Sequence, residues 1–420
     1  MTRPSFIRRF LGLGIMLAFR HRTPLVSGPL RQRYFAGLSR NTFLLALSSL
    51  FADISTEMLY PVLPVFLTQV LHASGSIVGI VDGSAQAAQN IVQGFSGTIS
   101  DRLQRRKPVA LIGYLLAAFA KPLMGLATVW PALLGARLLD RLGAGMRSAP
   151  RDALVASSVD ERDRGRAFGL EGLGDNAGAC LGPLVALFLL YGLQLDLRSI
   201  FYLAIIPGLL AFLMVLLVTE KRVAVAAKSK IDVNLGQFPR RYWNYLLATA
   251  LFVAGNSSNA FLILRTREAG ISLETTILIY AAFNLVAALI SYPAGSLSDQ
   301  WGRRNILLAS FAVFFVAYLG FALTRNVVLI GALFVLYGLH QGAFRAVGKA
   351  LASDLVPQQL RASGVGWYST TVGLLQLVAS VAAGLLWDRA GHAAVFYFGA
   401  LFAVVGIIGL LALVPREAQE

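Results

Sequence analysis

The sequence predicts an all-α membrane protein whose twelve transmembrane helices form two six-helix bundles related by a pseudo-two-fold repeat. Three observations support this fold class: the composition, the number of long apolar stretches, and a loop motif that occurs twice. The chain of 420 residues is 56% hydrophobic and only 14% charged, whereas soluble domains carry roughly 25% charged residues. We therefore expect the protein to lie in a lipid bilayer.

Twelve stretches are apolar and long enough to cross a bilayer, which takes about 20 residues in a helix. We number them span 1 to span 12 in chain order, and they cover residues 43–71, 76–98, 107–127, 130–153, 165–191, 198–219, 242–264, 272–297, 304–324, 326–353, 361–386 and 392–414. An even number of spans places both ends of the chain on one side of the membrane.

The connections between spans alternate between strongly basic and nearly neutral. Because basic loops remain in the cytoplasm, we expect the inner membrane, with both termini cytoplasmic. The net charge of +16 fits this bias, and no basic run is interleaved with aromatic residues, so no nucleic-acid partner is expected. The expected organisation is a basic cytoplasmic tail over 1–40, an N-terminal bundle over 41–219, a cytoplasmic linker over 220–241, a C-terminal bundle over 242–415 and a cytoplasmic tail over 416–420.

A repeat supports the division into six plus six spans. The motif GTISDRLQRRK at 97–107 recurs as GSLSDQWGRRN at 295–305, an offset of 198 residues. At the same offset, an arginine of span 4, Arg147, corresponds to Arg345 of span 10. Two homologous bundles in parallel orientation are typical of secondary transporters, which bind their substrates between the repeats.

The repeated loop motif, Arg137 in span 4, and the run from Gly178 to Pro183 in span 5 resemble motifs of the major facilitator superfamily. The resemblance covers the chain after residue 40. It implies a monomeric transporter that works by alternating access. Asp140 and Arg141 stand where members of that family commonly carry glutamine and glycine, so this chain has additional charge in span 4.

Both copies of the loop motif contain a glycine that allows close helix approach and an aspartate that can cap a neighbouring helix or pair with an arginine across the cytoplasmic gate. A few contacts made in only one conformation can set a conformational equilibrium. The predicted gating residues are Gly97, Asp101, Arg105, Gly295, Asp299 and Arg303.

Ionisable residues inside a membrane are costly, so their presence in spans 1, 4 and 5 predicts a functional site. Asp53 and Glu57 share one face of span 1 and have no cation within a turn of the same helix, which makes them the preferred proton carriers. The other candidates are Asp140, Glu171 and Asp175. The alternative is a static ion-pair network, in which the arginines of span 4 pair with the carboxylates of span 5.

The stripe of arginines along span 4 indicates a substrate with an anionic group, and the amides of the C-terminal half indicate a neutral wall that binds the remainder. The predicted binding residues are Arg137, Arg141, Arg151, Gln86, Asn90, Asn256, Asn259, Asn284, His340, Gln341 and Gln376. For His340, a role in the core is the alternative. We expect Asp82 at the outer interface, and Lys121 to extend to the outer surface.

These features predict a secondary active transporter that couples export of a small organic solute or drug, anionic or amphipathic, to protons. One alternative is a facilitator or a proton symporter that imports an organic anion; a metal-ion transporter and a non-transporting receptor or scaffold are weaker alternatives. The expected partners are a small-molecule substrate, protons and the lipid bilayer. We expect no enzyme activity, cofactor or metal, because the sequence has no nucleotide-binding loop, nucleophile elbow or zinc-hydrolase spacing.

Overall fold

A computed structural model of the protein describes residues 38–102, 105–160, 163–220, 238–357 and 360–414. These segments consist of helices, turns and short connections. The predicted tail up to residue 37, the predicted linker from residue 221 to 237 and the last six residues lie outside the described part.

The N-terminal bundle contains spans 1 to 6. Span 1 consists of two helices, Arg40–Glu57 and Leu63–Val65, the second of which continues as a π-helical turn over Phe66–Val70. The remaining helices are Gly75–Arg102 for span 2, Arg106–Leu126 for span 3, Trp130–Ser157 for span 4, Arg164–Leu187 with a π-helical turn over Phe188–Gly192 for span 5, and Leu197–Leu203 with Ile205–Leu216 for span 6.

The C-terminal bundle contains spans 7 to 12. Span 7 also consists of two helices, Arg240–Val253 and Ala260–Glu268. The remaining helices are Leu273–Trp301 for span 8, Arg303–Leu323 for span 9, Val327–Asp354 for span 10, Arg361–Ala390 for span 11 and His392–Leu413 for span 12.

Eight spans are long and apolar enough to cross a membrane by length and composition alone: spans 3, 5, 6 and 8 to 12. The other four are interrupted or more polar, because spans 1 and 7 break near their middle and spans 2 and 4 carry amides and charges. With these four included, the described chain confirms the predicted all-α fold of two six-helix bundles.

Consecutive spans run in opposite directions, so alternate connections lie at the same end of the bundles. The terminal end is the end at which the described chain starts and stops, at Leu38 and Val414. The distal end is the opposite one and carries the turns at 71–74 and 391. Span 2 packs on span 11, and span 5 on span 8, so these four helices form most of the boundary between the bundles.

Candidate functional site

Spans 1 and 7 are interrupted at equivalent points of the repeat, at residues 58–62 and 254–259. In span 1, Pro61 lacks the N–H group that a continuous helix would need. In span 7, the run Gly-Asn-Ser-Ser-Asn supplies short polar side chains that compete with helical hydrogen bonds. Interrupted helices place polar groups deep in the membrane, and they are typical of transporter binding sites.

Asp140 of span 4 lies at the centre of three buried cations. Its carboxylate accepts hydrogen bonds from Lys121 Nζ at 3.0 Å, from Arg137 Nη1 at 3.2 Å and from Arg141 Nε at 3.0 Å. These four residues, termed the Asp140 cluster, are each at most 8% exposed. The predicted position of Lys121 at the outer surface is wrong, because the carboxylate of a neighbouring span compensates its charge inside the bundle.

Asp82 of span 2 extends this cluster to the boundary between the bundles. Its carboxylate lies 3.2 Å from Arg137 Nη2 and accepts hydrogen bonds from the Tyr60 hydroxyl at 3.2 Å and from the hydroxyl of Ser258 in the C-terminal bundle. The Asp82 side chain is only 13% exposed, so its predicted interfacial position is wrong. An arginine 55 residues away in the sequence stabilises this carboxylate inside the protein.

Two residues of the N-terminal bundle, Tyr60 and Asp82, meet two residues of the C-terminal bundle, Ser258 and Tyr280. The repeat relates these four residues in pairs. The offset of 198 residues relates Tyr60 to Ser258, and Asp82 to Tyr280. The rings of Tyr60 and Tyr280 stack across the boundary, with their centroids 5.4 Å apart. The two bundles thus meet, in the distal half of the membrane, through equivalent positions of the repeat.

The Asp140 cluster and Asp82 together hold three cations and two carboxylates, so their formal net charge is +1. Two guanidinium nitrogens in this group, Arg137 Nε and Arg141 Nη2, are buried without a hydrogen-bond partner among the described residues. The same holds for Nε and Nη1 of Arg147, further along span 4. Buried donors without partners are costly, so an anionic group of a ligand would be stabilised at these atoms.

A second group of charges lies around Arg151, toward the terminal end of spans 4 and 5. The Arg151 guanidinium is 2.9 Å from Glu171, 3.5 Å from Asp175 and 3.0 Å from Asp152. The Ser49 hydroxyl of span 1 donates to Glu171 at 2.8 Å. The predicted pairing of span 4 with the span 5 carboxylates is confirmed for Arg151. It is wrong for the two arginines nearer the distal end, which bind Asp140 instead.

The two carboxylates of span 1 have different surroundings. Asp53 is 29% exposed and lies 4.0 Å from Arg147 Nη2, so a cation from span 4 approaches it. Glu57 accepts hydrogen bonds from the Tyr280 hydroxyl at 3.0 Å and from Asn284 Nδ2 at 3.5 Å. Both donors are neutral and belong to span 8 of the C-terminal bundle. Glu57 is therefore a carboxylate at the boundary, held by hydrogen bonds rather than by an ion pair with a described residue.

The predicted amides of span 2 lie beside the Asp140 cluster. Gln86 and Asn90 approach each other at 3.5 Å. Gln89, one helical turn from Gln86 on the same side, accepts a hydrogen bond from Arg141 at 3.1 Å. Gln89 shares the predicted polar face of span 2 with Gln86, because the two residues are three positions apart in the helix.

The predicted polar residues of the C-terminal bundle differ in their partners and burial. Asn284 reaches the boundary, where it also donates to the Ala179 carbonyl oxygen at 3.0 Å. Asn259 accepts a hydrogen bond from the Tyr337 hydroxyl at 2.7 Å. The other members are Asn256, which is buried, and Gln341 and Gln376, which are half-buried.

His340 lies inside the C-terminal bundle, with 0% exposure. Its Nδ1 atom is 2.9 Å from the Ser310 hydroxyl, and its ring is surrounded by the rings of Phe252, Phe314, Tyr337 and Phe344. A substrate would have to displace this aromatic core to reach the imidazole. The structure therefore supports the core interpretation of His340 and not the predicted substrate contact.

The C-terminal loop motif forms ion pairs within its own bundle. Arg303 lies 3.5 Å from its predicted partner Asp299 and also pairs with Asp354 at the end of span 10. Neither pair joins the two bundles, although a pair across the cytoplasmic gate was predicted for Asp299 and Arg303. The other predicted gating residues are Gly295, which is half-buried, Arg105, which is exposed, and Gly97 and Asp101, whose surroundings lie outside the described residues.

The chain matches the family model of the Major Facilitator Superfamily over residues 45–264 and 245–420. It is 34% identical over 382 residues to an uncharacterised MFS-type transporter of Methanocaldococcus jannaschii. This alignment covers 90% of this chain and 95% of that relative. It is 25% identical over 395 residues to the multidrug resistance protein MdtH of Photorhabdus laumondii. That alignment covers 91% of this chain and 94% of that relative.

Solved transporter structures have the same fold. The nucleoside transporter NupG superimposes with a TM-score of 0.74 at 15% identity, over 90% of this chain and 100% of that chain. The D-xylose-proton symporter superimposes with a TM-score of 0.71 at 15% identity, over 89% of this chain and 97% of that chain. From the family match, the 34% identical relative and the two bundles of membrane spans, we conclude that this multi-pass integral membrane protein belongs to the Major Facilitator Superfamily of transporters.

Proposed function

We propose that the protein is a secondary active transporter that works by alternating access and couples export of a small organic solute to proton movement. The observation that carries this proposal is the position of Glu57, whose hydrogen-bond donors belong to the opposite bundle. When the bundles move apart at this point, Glu57 loses both donors and its solvation changes. A carboxylate whose surroundings depend on conformation binds its proton differently in the two states, which is what proton coupling requires.

The Asp140 cluster supplies attraction for an anionic group on the solute. Its net positive charge lies in a low-dielectric environment, where charge interactions are stronger than in water. Arg141, Arg345 and Arg137 also interact electrostatically with Glu57, so the proposed proton site and the proposed anion site influence each other. An amphipathic solute would place its apolar part against the aromatic rings at the boundary.

Export is supported by the relatives named multidrug resistance proteins, to which the chain is 25 to 29% identical. We also propose that the terminal end faces the cytoplasm, since the basic connections of the chain lie there. The first proposal rests on the names of these relatives, and the second rests on the distribution of charge along the chain.

Proton symport of an organic anion is the second candidate, and electrostatics favours it. A bound anion at the Asp140 cluster and a deprotonated Glu57 repel each other, so the solute and the proton would bind together. The two candidates differ in the sign of the coupled proton flux: exchange moves solute and proton in opposite directions, and symport moves them in the same direction.

The test uses purified protein in sealed liposomes that contain a pH-sensitive dye. A pH gradient is imposed, and a panel of organic anions, organic cations and neutral drugs is added. We expect one class to trigger proton flux in the wild type and in the control Asp196→Asn, whose carboxylate lies in an exposed distal loop. Glu57→Gln is expected to abolish the flux, and Asp53→Asn to reduce it. Solute movement without proton flux in the wild type would overturn proton coupling and identify a facilitator.

A further inference from the structure

The amino terminus of span 2 is capped by a residue of the opposite bundle. The Asp388 carboxylate, near the distal end of span 11, accepts hydrogen bonds from the backbone N–H groups of Gly75 at 2.7 Å and Ser76 at 2.8 Å, and from the Ser76 hydroxyl. The side chain of Ser74, the residue that precedes the helix, accepts a hydrogen bond from the N–H group of Ile77 at 3.4 Å, as a usual helix cap does. The first two N–H groups are instead capped by a residue 313 positions away. The carboxylate also lies at the positive end of the helix dipole.

Directly beside this cap, spans 2 and 11 approach each other more closely than side chains would allow. A Cβ atom on Gly79 would lie 2.1 Å from the Ser380 carbonyl oxygen, and one on Gly384 would lie 2.5 Å from the Gly75 carbonyl oxygen. Glycine at both positions is therefore required for this packing. Because the helices are in contact along this stretch, Asp388 is held in register with the amino terminus of span 2.

Further hydrogen bonds between the bundles lie between this cap and the middle of the membrane. Among them are the bond from Ser258 to Asp82 and those from Tyr280 and Asn284 to Glu57. The structure is thus closed at the distal end. In a protein that alternates access between its two ends, the distal contacts have to separate once in every cycle.

We propose that Asp388 is the latch of the distal gate: it caps span 2 in the state closed at the distal end and releases it in the state open there. After release, the Asp388 carboxylate and the freed N–H groups of span 2 would be hydrated at the distal surface. The free energy that opening requires is therefore that of losing a helix cap, and no charge becomes buried. The latch shifts the equilibrium toward the state closed at the distal end but does not prevent opening.

Asp196 provides a matched control for this latch. It caps the start of span 6 at the same end of the membrane, where it accepts hydrogen bonds from the Ser199 N–H group at 3.1 Å and from the Ser199 hydroxyl. The chemistry is the same as at Asp388, but both partners belong to the N-terminal bundle. This cap remains intact when the bundles move relative to each other.

The test measures the separation of the bundles at the distal end. Cysteines replace the exposed residues His72 and Arg325 in a Cys180→Ser background and carry spin labels for double electron–electron resonance, without substrate or pH gradient. Asp388→Ala is expected to raise the ratio of distal-open to distal-closed protein about tenfold, as the loss of a helix cap implies. Ser76→Ala is expected to shift the ratio less, and Asp196→Ala to leave it at the wild-type value.

A wild-type distance distribution in folded Asp388→Ala would overturn the proposal, and so would equal shifts in Asp388→Ala and Asp196→Ala. Thermal unfolding of each variant establishes that it is folded. If Asp388→Ala does not fold, Ser76→Ala decides the question by the same measurement: a shift toward the distal-open state supports the latch, and a wild-type distribution overturns it. The latch concerns conformation alone, so its failure would be independent of the proton-coupling proposal, which the flux assay tests.

Discussion

The two bundles are built on the same repeat but have different interiors. In span 4, Arg137, Asp140 and Arg141 form the charged centre of the N-terminal bundle. In span 10, the residues at the corresponding positions are Val335, Gly338 and Leu339. The C-terminal bundle is filled instead by aromatic rings, such as Phe252 and Phe311, whose centroids are 3.8 Å apart, and Phe314 and Tyr318, at 3.9 Å.

This difference assigns different physical roles to the halves. A buried charge network is stable only while every member keeps its partners, so it responds to protonation, to ligand charge and to movement of the opposite bundle. An aromatic core depends on volume and shape, and it does not change with pH. We infer that the N-terminal bundle senses the proton and the solute, and that the C-terminal bundle provides a rigid surface against which it moves.

The largest effect is expected from Asp140→Asn. The substitution leaves Lys121, Arg137 and Arg141 buried with one carboxylate fewer, and removing one partner of a buried ion pair costs about 3–5 kcal/mol of unfolding free energy. Chemical or thermal unfolding in detergent measures the loss. The control is Asp299→Asn, because the Asp299 side chain is 66% exposed. Removing its charge should lower the unfolding free energy by less than about 1 kcal/mol. Equal stability of the two variants would contradict the assigned role of Asp140.

Tyr280→Phe is expected to have the next largest effect, on conformation rather than on folding. It keeps the ring that stacks on Tyr60 but removes the hydrogen bond to the Glu57 carboxylate, and bonds to charged groups contribute about 1.5–3 kcal/mol. The spin-label measurement at the distal end should detect a larger open fraction. Tyr318→Phe is the matched control, because its hydroxyl contacts Ser257 inside the C-terminal bundle at 3.3 Å. A shift of the same size in the control would remove the distinction between the boundary and the core.

Ser310→Ala tests whether His340 is only a core residue. The variant loses the hydroxyl that contacts His340 Nδ1, which should lower the unfolding free energy by about 1 kcal/mol. Proton flux in liposomes should remain at the wild-type level, because the imidazole takes no part in coupling. Loss of proton flux in a variant of near wild-type stability would show that the C-terminal bundle takes part in proton coupling.

The smallest effect concerns Asp196, which lies outside the membrane spans. Hydrogen bonds from Ser199 lower the pKa of this carboxyl below its ordinary value. A carboxyl with a lower pKa in the folded state stabilises the protein above its unfolded pKa of about 4 and loses this contribution as the pH falls through the folded pKa. Because the group is exposed, the difference in stability between wild type and Asp196→Asn should stay below about 1 kcal/mol at pH 7. The unfolding midpoints of the wild type and Asp196→Asn should therefore converge at acidic pH.

The sequence was sufficient to predict features that depend on periodicity or on neighbouring spans. The twelve spans follow from apolar stretches, and the pairing of Arg151 with Glu171 follows from the adjacency of spans 4 and 5. The pairs Lys121 with Asp140 and Asp82 with Arg137 were not predicted, because each requires the relative rotation of helices about their axes, which hydropathy does not define.

The interruptions of spans 1 and 7 were signalled by Pro61 and by the run from Gly255 to Asn259. The predicted spans 43–71 and 242–264 nevertheless run through both points without a break. The position of Glu57 opposite Tyr280 depends on how the two bundles dock, so no pattern within either half could have revealed it. The Asp388 cap depends on the same docking.

The role of Glu57 in proton coupling is tested most directly by the proton exchange that accompanies solute binding. The solute identified in the flux assay is added to purified protein in weakly buffered detergent solution, and a pH indicator records protons taken up or released. We expect proton exchange in the wild type and none in Glu57→Gln, although calorimetry still detects solute binding by the variant. A Glu57→Gln protein that exchanges as many protons as the wild type would contradict the claim that this carboxylate couples the two bundles to the proton.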